Sequence, residues 1–195
     1  MRMYIVFVIS AALLLIGRPA VAIEEPAFEV IRATGDYEIR RYEPFIVAEV
    51  DVEGDAREAG NRAFRILAGY IFGNNVDGLK MSMTAPVVST PQTDEGRETH
   101  TYAFVMESAY SKETLPAPVD PRIRIVQKPE RVIAAKEYSG RWSEENYLRH
   151  EVSLISALTI DGLRPSGETS LARYDSPFKP WFLRRNEVLV EIDWQ

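Results

Sequence analysis

The sequence predicts an α+β domain: a distorted antiparallel β-barrel built from two β-α-β-β repeats, with two helices outside it. Three observations predict this class. Apolar residues alternate with period two over several short runs. Two longer stretches have helical periodicity and capping residues. These elements occur in the same order twice, offset by about 85 to 90 residues, too long and too few copies for a solenoid.

The first strand is expected over Tyr37–Glu53, with Ile46, Ala48, Val50 and Val52 on one face. A helix follows over Asp55–Phe72. Asp55 is a good N-cap, Glu58 completes a capping-box spacing, and Gly73 suits the stop. Ala59, Ala63, Leu67 and Tyr70 form its stripe, with Phe64 and Ile71 beside it. Strands are expected at Lys80–Ser89 and Thr101–Glu107, the latter with Tyr102, Phe104 and Met106 on one face. The second unit begins with a strand over Ile123–Tyr138. Its helix, Ser143–Ile160, is capped by Ser143, and Glu144 and Glu145 suit the positive helix end. Leu148, Val152, Ile155 and Thr159 form the predicted stripe, with Leu154 and Leu158 adjacent. Strands at Ser170–Asp175 and Glu187–Asp193 complete it. The halves run over about residues 28–107 and 122–193. One half, with a single helix on a small sheet, would leave an apolar sheet face bare, so 23–195 is expected to be one domain.

Composition supports a folded chain and excludes much chemistry. Of 195 residues, 46% are hydrophobic and 27% charged, as in globular proteins. The formal charge of −6 disfavours phosphate backbones, so no nucleic-acid partner is expected. With no cysteine there is no disulfide, thiolate nucleophile or thiolate-held metal. The two histidines, His100 and His150, cannot build a three-histidine metal site. Met1–Ala22 has a basic start at Arg2, an apolar run from Met3 to Ile16, and a small-x-small end at Ala20-Val21-Ala22. This is the layout of a secretory signal peptide, with cleavage expected before Ile23. The protein is then exported, and periplasmic if the source is Gram-negative. No later segment is apolar enough to span a membrane as a helix.

Four motifs carry a family resemblance. They are Tyr37-Glu38-Ile39-Arg40-Arg41-Tyr42; Tyr70-Ile71-Phe72-Gly73-Asn74-Asn75 followed by Lys80-Met81-Ser82-Met83-Thr84-Ala85-Pro86-Val87; Tyr174-Asp175-Ser176-Pro177-Phe178; and Arg185-Asn186-Glu187-Val188. Together, from about Phe28 to Ile192, they resemble the SOUL family of haem-binding proteins. The resemblance implies the distorted barrel with two external helices, and reversible, non-covalent binding of haem or a related tetrapyrrole. It also implies where the groove lies: between the first helix and the loop joining the last two strands. On this chain those segments supply Arg62, Phe64, Arg65 and Ile66, and Tyr174, Phe178, Trp181 and Phe182. Apolar and aromatic walls with guanidinium groups at the rim suit a flat disc bearing two propionates.

Each of these residues also has an ordinary reading. Phe64 at helical spacing reads as core, Arg62 and Arg65 as a solvated face, and the loop aromatics as a plug for the barrel end. Some family members carry a histidine at the position of Arg41, proposed as an axial haem ligand; arginine cannot take that role. His150, Met81 and Met83 are the remaining side chains that could approach an iron. Their ordinary roles are a helix-face histidine and adaptable core filling, and His100 reads as a solvated surface histidine. The expectation is therefore a tetrapyrrole-binding protein, acting as carrier, buffer or scavenger in the cell envelope, without a catalytic residue. The alternatives are a hydrolase acting on a small apolar substrate in the same groove, with Glu187 or Asp175 as base, and a binding module for another planar ligand or a protein partner.

Overall fold

The computed structural model describes residues 23–94 and 97–194. The expected leader, Met1–Ala22, lies outside the described residues. Nine strands form one antiparallel sheet: β1 (Phe28–Ala33), β2 (Glu38–Tyr42), β3 (Phe45–Glu53), β4 (Val87–Asp94), β5 (Arg97–Val105), β6 (Arg124–Lys128), β7 (Arg131–Tyr138), β8 (Ser170–Arg173) and β9 (Asn186–Glu191). Two helices, α1 (Ala56–Ile71) and α2 (Glu144–Ile160), interrupt them. The strand order is β1-β2-β7-β9-β8-β4-β5-β3-β6. The sheet curls into a half-barrel with β1 and β6 at its edges.

That order is symmetric about the β4–β8 pairing, apart from the extra edge strand β1. The expected strand Tyr37–Glu53 is two strands, broken at Glu43-Pro44, and Ile123–Tyr138 is likewise broken at Pro129-Glu130. Proline cannot donate to a ladder and marks such breaks. The breaks let the leading strand of each unit cross over: β2 pairs with β7, and β6 pairs with β3. The expected strand from Lys80 begins only at Val87. Lys80–Pro86 instead runs as an irregular strap. In it Met81 N donates to Ile71 O at 2.8 Å, and Thr84 Oγ1 donates to Val105 O at 2.5 Å.

Both helices lie on the same face of the sheet. Asp55 caps α1 by accepting from the amides of Arg57 and Glu58, and Gly73, at φ +110°, turns the chain after it. Ala59, Ala63, Leu67 and Tyr70 bury against Ile46, Ala48 and Val50 of β3 and Tyr102 and Phe104 of β5, as the stripe predicts. In α2 the buried residues are Tyr147, Leu154 and Leu158, packed on Ile39, Ala134, Val188 and Val190. The predicted stripe is rotated from this: Leu148 is exposed and Val152 is 64% exposed. Two apolar stripes share the helix, and the sheet takes the one led by Tyr147. The opposite, concave face carries its own apolar residues, among them Tyr42, Val47, Ala103, Ile133 and Leu189.

Candidate functional site

At the centre of the helix-bearing face, between α1 and α2, lies Arg173, the last residue of β8. Its guanidinium sits 5.5 Å from the Trp142 ring centroid, and the Tyr102 hydroxyl is near enough to favour its charge. Its Nε is buried and has no hydrogen-bond partner. Among the described residues no carboxylate forms an ion pair with it. Burial pulls its pKa below the ordinary arginine value, and the nearby tyrosines Tyr102 and Tyr138 only partly offset this. A buried guanidinium with one donor unused is costly unless something negative meets it.

Both helices come to the edges of this spot. Tyr102, two strands from β8, donates its hydroxyl to Ala56 O at 2.8 Å, in the first turn of α1. Gly60 lies against the same ring: a Cβ there would stand 3.1 Å from the Tyr102 hydroxyl. Phe64 is one turn on from Gly60, on the same helix face. It rests edge-on against Phe104 at 5.5 Å and remains 46% exposed, so it is not the core residue its spacing suggests. On the α2 side, Tyr138 stacks on His150 at 4.2 Å and 15°. Burial, then Lys136 and Arg149, lower the His150 pKa, so the ring is neutral at pH 7.

The β8–β9 loop closes one end. Asp175 takes Lys179 Nζ at 2.7 Å and the Arg185 amide at 2.6 Å, and Arg184 donates to the carbonyls of Lys179 and Pro177 at 2.9 and 2.6 Å. This bracing presents aromatic side chains outward: Phe178 is 94% exposed, Phe182 58% and Trp181 47%. They do not plug the barrel end. Arg141 stands 5.3 Å from the Trp181 centroid, and Arg184 stands 4.3 Å from that of Trp142. Trp142 Nε1 donates to Asn186 Oδ1 at 2.8 Å, which fixes the ring. The result is an alternation of guanidinium and aromatic groups, held by short-range bonds and open to solvent.

The other expected residues are placed as follows. Arg62 donates to Glu53 O and lies 3.9 Å from Glu58, while Arg65 donates to Asn61 O at 3.2 Å. Ile66 is partly buried against the α1 core. Tyr174 turns to the concave side, where its hydroxyl donates to Glu187 Oε2 at 2.7 Å and Arg185 stacks 3.7 Å from its ring centroid. Met81 is buried in the α1 core and Met83 packs against it. Arg41 lies on β2, half exposed, 3.8 Å from Glu29. His100 is buried rather than on the surface, with Nε2 3.2 Å from Glu98 Oε1. Arg173 and Trp142 were missed by sequence reasoning, whereas Arg184 is one of the basic residues expected among the loop aromatics. The only available signal was the density of Arg and Trp around Arg141–Trp142 and Trp181–Arg185.

Neither carboxylate considered as a hydrolytic base is free. Burial alone would raise the Glu187 pKa, but Arg40 outweighs it with hydrogen bonds of 2.8 and 3.1 Å, aided by Tyr174 and Arg185, and the net shift is downward. Asp175 is likewise lowered: Lys179 and the Arg185 amide overcome the desolvation that would raise it. A general base needs a pKa near the working pH, and these two are shifted away from it.

Comparison with known proteins agrees with this architecture. Residues 23–191 match the family described as SOUL heme-binding protein. Heme-binding protein 1 of Xenopus tropicalis is 29% identical over 155 residues, covering 78% of this chain and 81% of that protein. Heme-binding protein 2 of Homo sapiens is 28% identical over 188 residues, covering 88% and 91%. Among solved structures, a hydrolase from Listeria innocua superposes with a TM-score of 0.60 at 14% identity, over 84% of this chain and 94% of that one. That likeness is one of fold.

Proposed function

The chain belongs to the SOUL family of haem-binding proteins, and from that premise we propose that it binds haem or a related tetrapyrrole, reversibly and without covalent attachment, between α1, Arg173 and the β8–β9 loop. The observation that carries this reading is Arg173, a partly buried guanidinium with no carboxylate partner among the described residues, set among aromatic side chains that the fold leaves uncovered. A propionate at the accessible side of that guanidinium would supply the missing charge. Phe64, Trp181 and Phe182 would cover the macrocycle, and Arg141 and Arg184 would face its rim. A bound haem brings an iron capable of redox and ligand-exchange chemistry; the chain's part is to hold the disc and neutralise its carboxylates. His150 is engaged with Tyr138 and Met81 is in the core, so the reading includes no axial ligand from either. The leader pattern of Met1–Ala22 supports export and a carrier, buffer or scavenger role in the cell envelope.

Titration with haemin tests the site. The Soret band is expected to shift and saturate near one equivalent. Arg173→Gln should weaken binding about tenfold or more, the effect of removing a charge-assisted bond from a buried site, and Trp181→Ala should weaken it too. His150→Ala should leave the spectrum nearly unchanged; a lost low-spin spectrum would reveal His150 as a ligand. Absence of any saturable shift, or equal affinity in Arg173→Gln, would overturn the site.

A further inference from the structure

The concave side of the half-barrel, away from the helices, carries an open cleft of about 380 Å³. Phe45, Val47, Val88, Ala103, Ile133 and Leu189 wall it with apolar surface. That volume falls at the small end of the range for small-molecule sites. Its charged groups differ in how well they are satisfied. Glu49 is buried, but both its oxygens are used, by Arg124 at 3.1 Å and by Lys128 at 3.0 Å. Arg131 is different. Its guanidinium lies 5.4 Å from the Phe45 ring centroid, its closest carboxylate contact is Glu191 at 3.9 Å, and its buried Nε has no partner. Burial lowers its pKa, and the pull of Glu191 does not restore it.

Among the buried polar atoms of this cleft, the one left unused is therefore on a cation, Arg131, beside the apolar ring of Phe45. We propose that the concave face is a second binding site, for a small apolar molecule bearing one carboxylate, with Arg131 as its anchor. The carboxylate pairs with the Arg131 guanidinium, whose side chain keeps 26% of its surface exposed, and the apolar body lies on Phe45, Val88 and Ala103. Of the three glutamates that line the cleft, the buried Glu49 is already neutralised by two cations, Glu191 lies 3.9 Å from Arg131, and Glu168 is exposed, where water screens its charge. The site shares no residue with the groove around Arg173, so the two ligands do not compete.

Calorimetric titration of the whole protein with sodium decanoate tests the proposal. Decanoate is expected to bind saturably at one site. Decyltrimethylammonium, of the same chain length and opposite charge, is expected to bind at least about tenfold more weakly. Arg131→Gln, which keeps the side chain's bulk, should weaken decanoate by about tenfold or more. Val88→Trp, which fills the cleft, should abolish binding. Haemin titration should be unchanged in both variants. If Val88→Trp fails to fold, Arg131→Gln and the two probes still decide. No decanoate binding by the unaltered protein, undiminished binding by Arg131→Gln, or a preference for the cation would overturn the site. Loss of haemin binding alone would leave it standing.

Discussion

The charged groups set into the sheet differ in completeness. Around Glu187 every formal charge is met: Arg40 binds it in two places, Arg185 adds bonds of 2.9 and 3.1 Å, and Tyr174 adds another. Arg40 in turn reaches Glu38 at 2.8 Å, and Arg185 reaches Glu25 at 2.9 Å. Removing one partner from such a cluster leaves a buried charge, so Arg40→Ala should cost about 3–5 kcal/mol in denaturant unfolding. The cluster also sets an acid limit. Glu187 is held below the ordinary 4.5, so its contribution is whole above that value and is lost as pH falls through its depressed folded value. Glu187→Gln should flatten the acid limb of a stability–pH curve; an unchanged limb would assign it to other carboxylates. Arg173 and Arg131, by contrast, each keep an idle Nε. Complete clusters build the frame, and the incomplete ones are where the two ligands are proposed to bind.

At the scale of elements, α2 shows how a correct boundary can accompany a wrong face. Ser143 caps it, accepting from the Asn146 amide at 3.3 Å, and it ends as predicted at Ile160. Leu148, Val152 and Ile155 satisfy helical spacing as well as Tyr147, Leu154 and Leu158 do, and periodicity alone cannot choose between them. Leu154→Ala should therefore cost about 2–5 kcal/mol, and Val152→Ala should fall within about 0.5 kcal/mol of wild type. Equal costs would place α2 on the other stripe. For α1 the spacing admitted one stripe, and Asp55→Ala should lose about 1 kcal/mol of stability. The strap Lys80–Val87, the most specific of the family motifs, also proves architectural. Met81 fills the α1 core, Thr84 bonds Val105 O, and Asn75 before it ties Tyr70 O to Leu79 through bonds of 2.7 to 2.9 Å.

Across the whole molecule, the exchange of β2 and β6 joins the two halves. Each half donates a strand to the other's side of the sheet, and β4 and β8 pair across the middle through Val87–Arg173, Val88–Ala172 and Ser89–Leu171. Each half pairs three of its own strands, β3-β5-β4 and β7-β9-β8, but β6 finds its ladder partner β3, and β2 its inner neighbour β7, only in the other half. Unfolding by urea should accordingly give coincident transitions by circular dichroism and tryptophan fluorescence. Two separated transitions would show halves that stand alone. The same sheet separates the two proposed ligands, the macrocycle on the helix side and the carboxylate in the concavity.

The edge strand β1 and the breaks that divide two expected strands aside, the sequence by itself determined both helices and their caps, the order of helices and strands, and the family. These depend on local spacing and on motifs whose work is local: Asn75 closing a turn, Asp55 holding two amides, Tyr42 and Arg40 sharing one strand face. Only the tertiary structure decided which stripe of α2 is buried, that Phe64 stays half open, and that Tyr174 turns inward. It also brought Arg173, Tyr102, and the pair Tyr138 and Trp142 together from three separate segments. A binding site made of charge left uncompensated cannot be read from spacing, because whether a guanidinium is paired depends on strands that meet only when the sheet has closed around it.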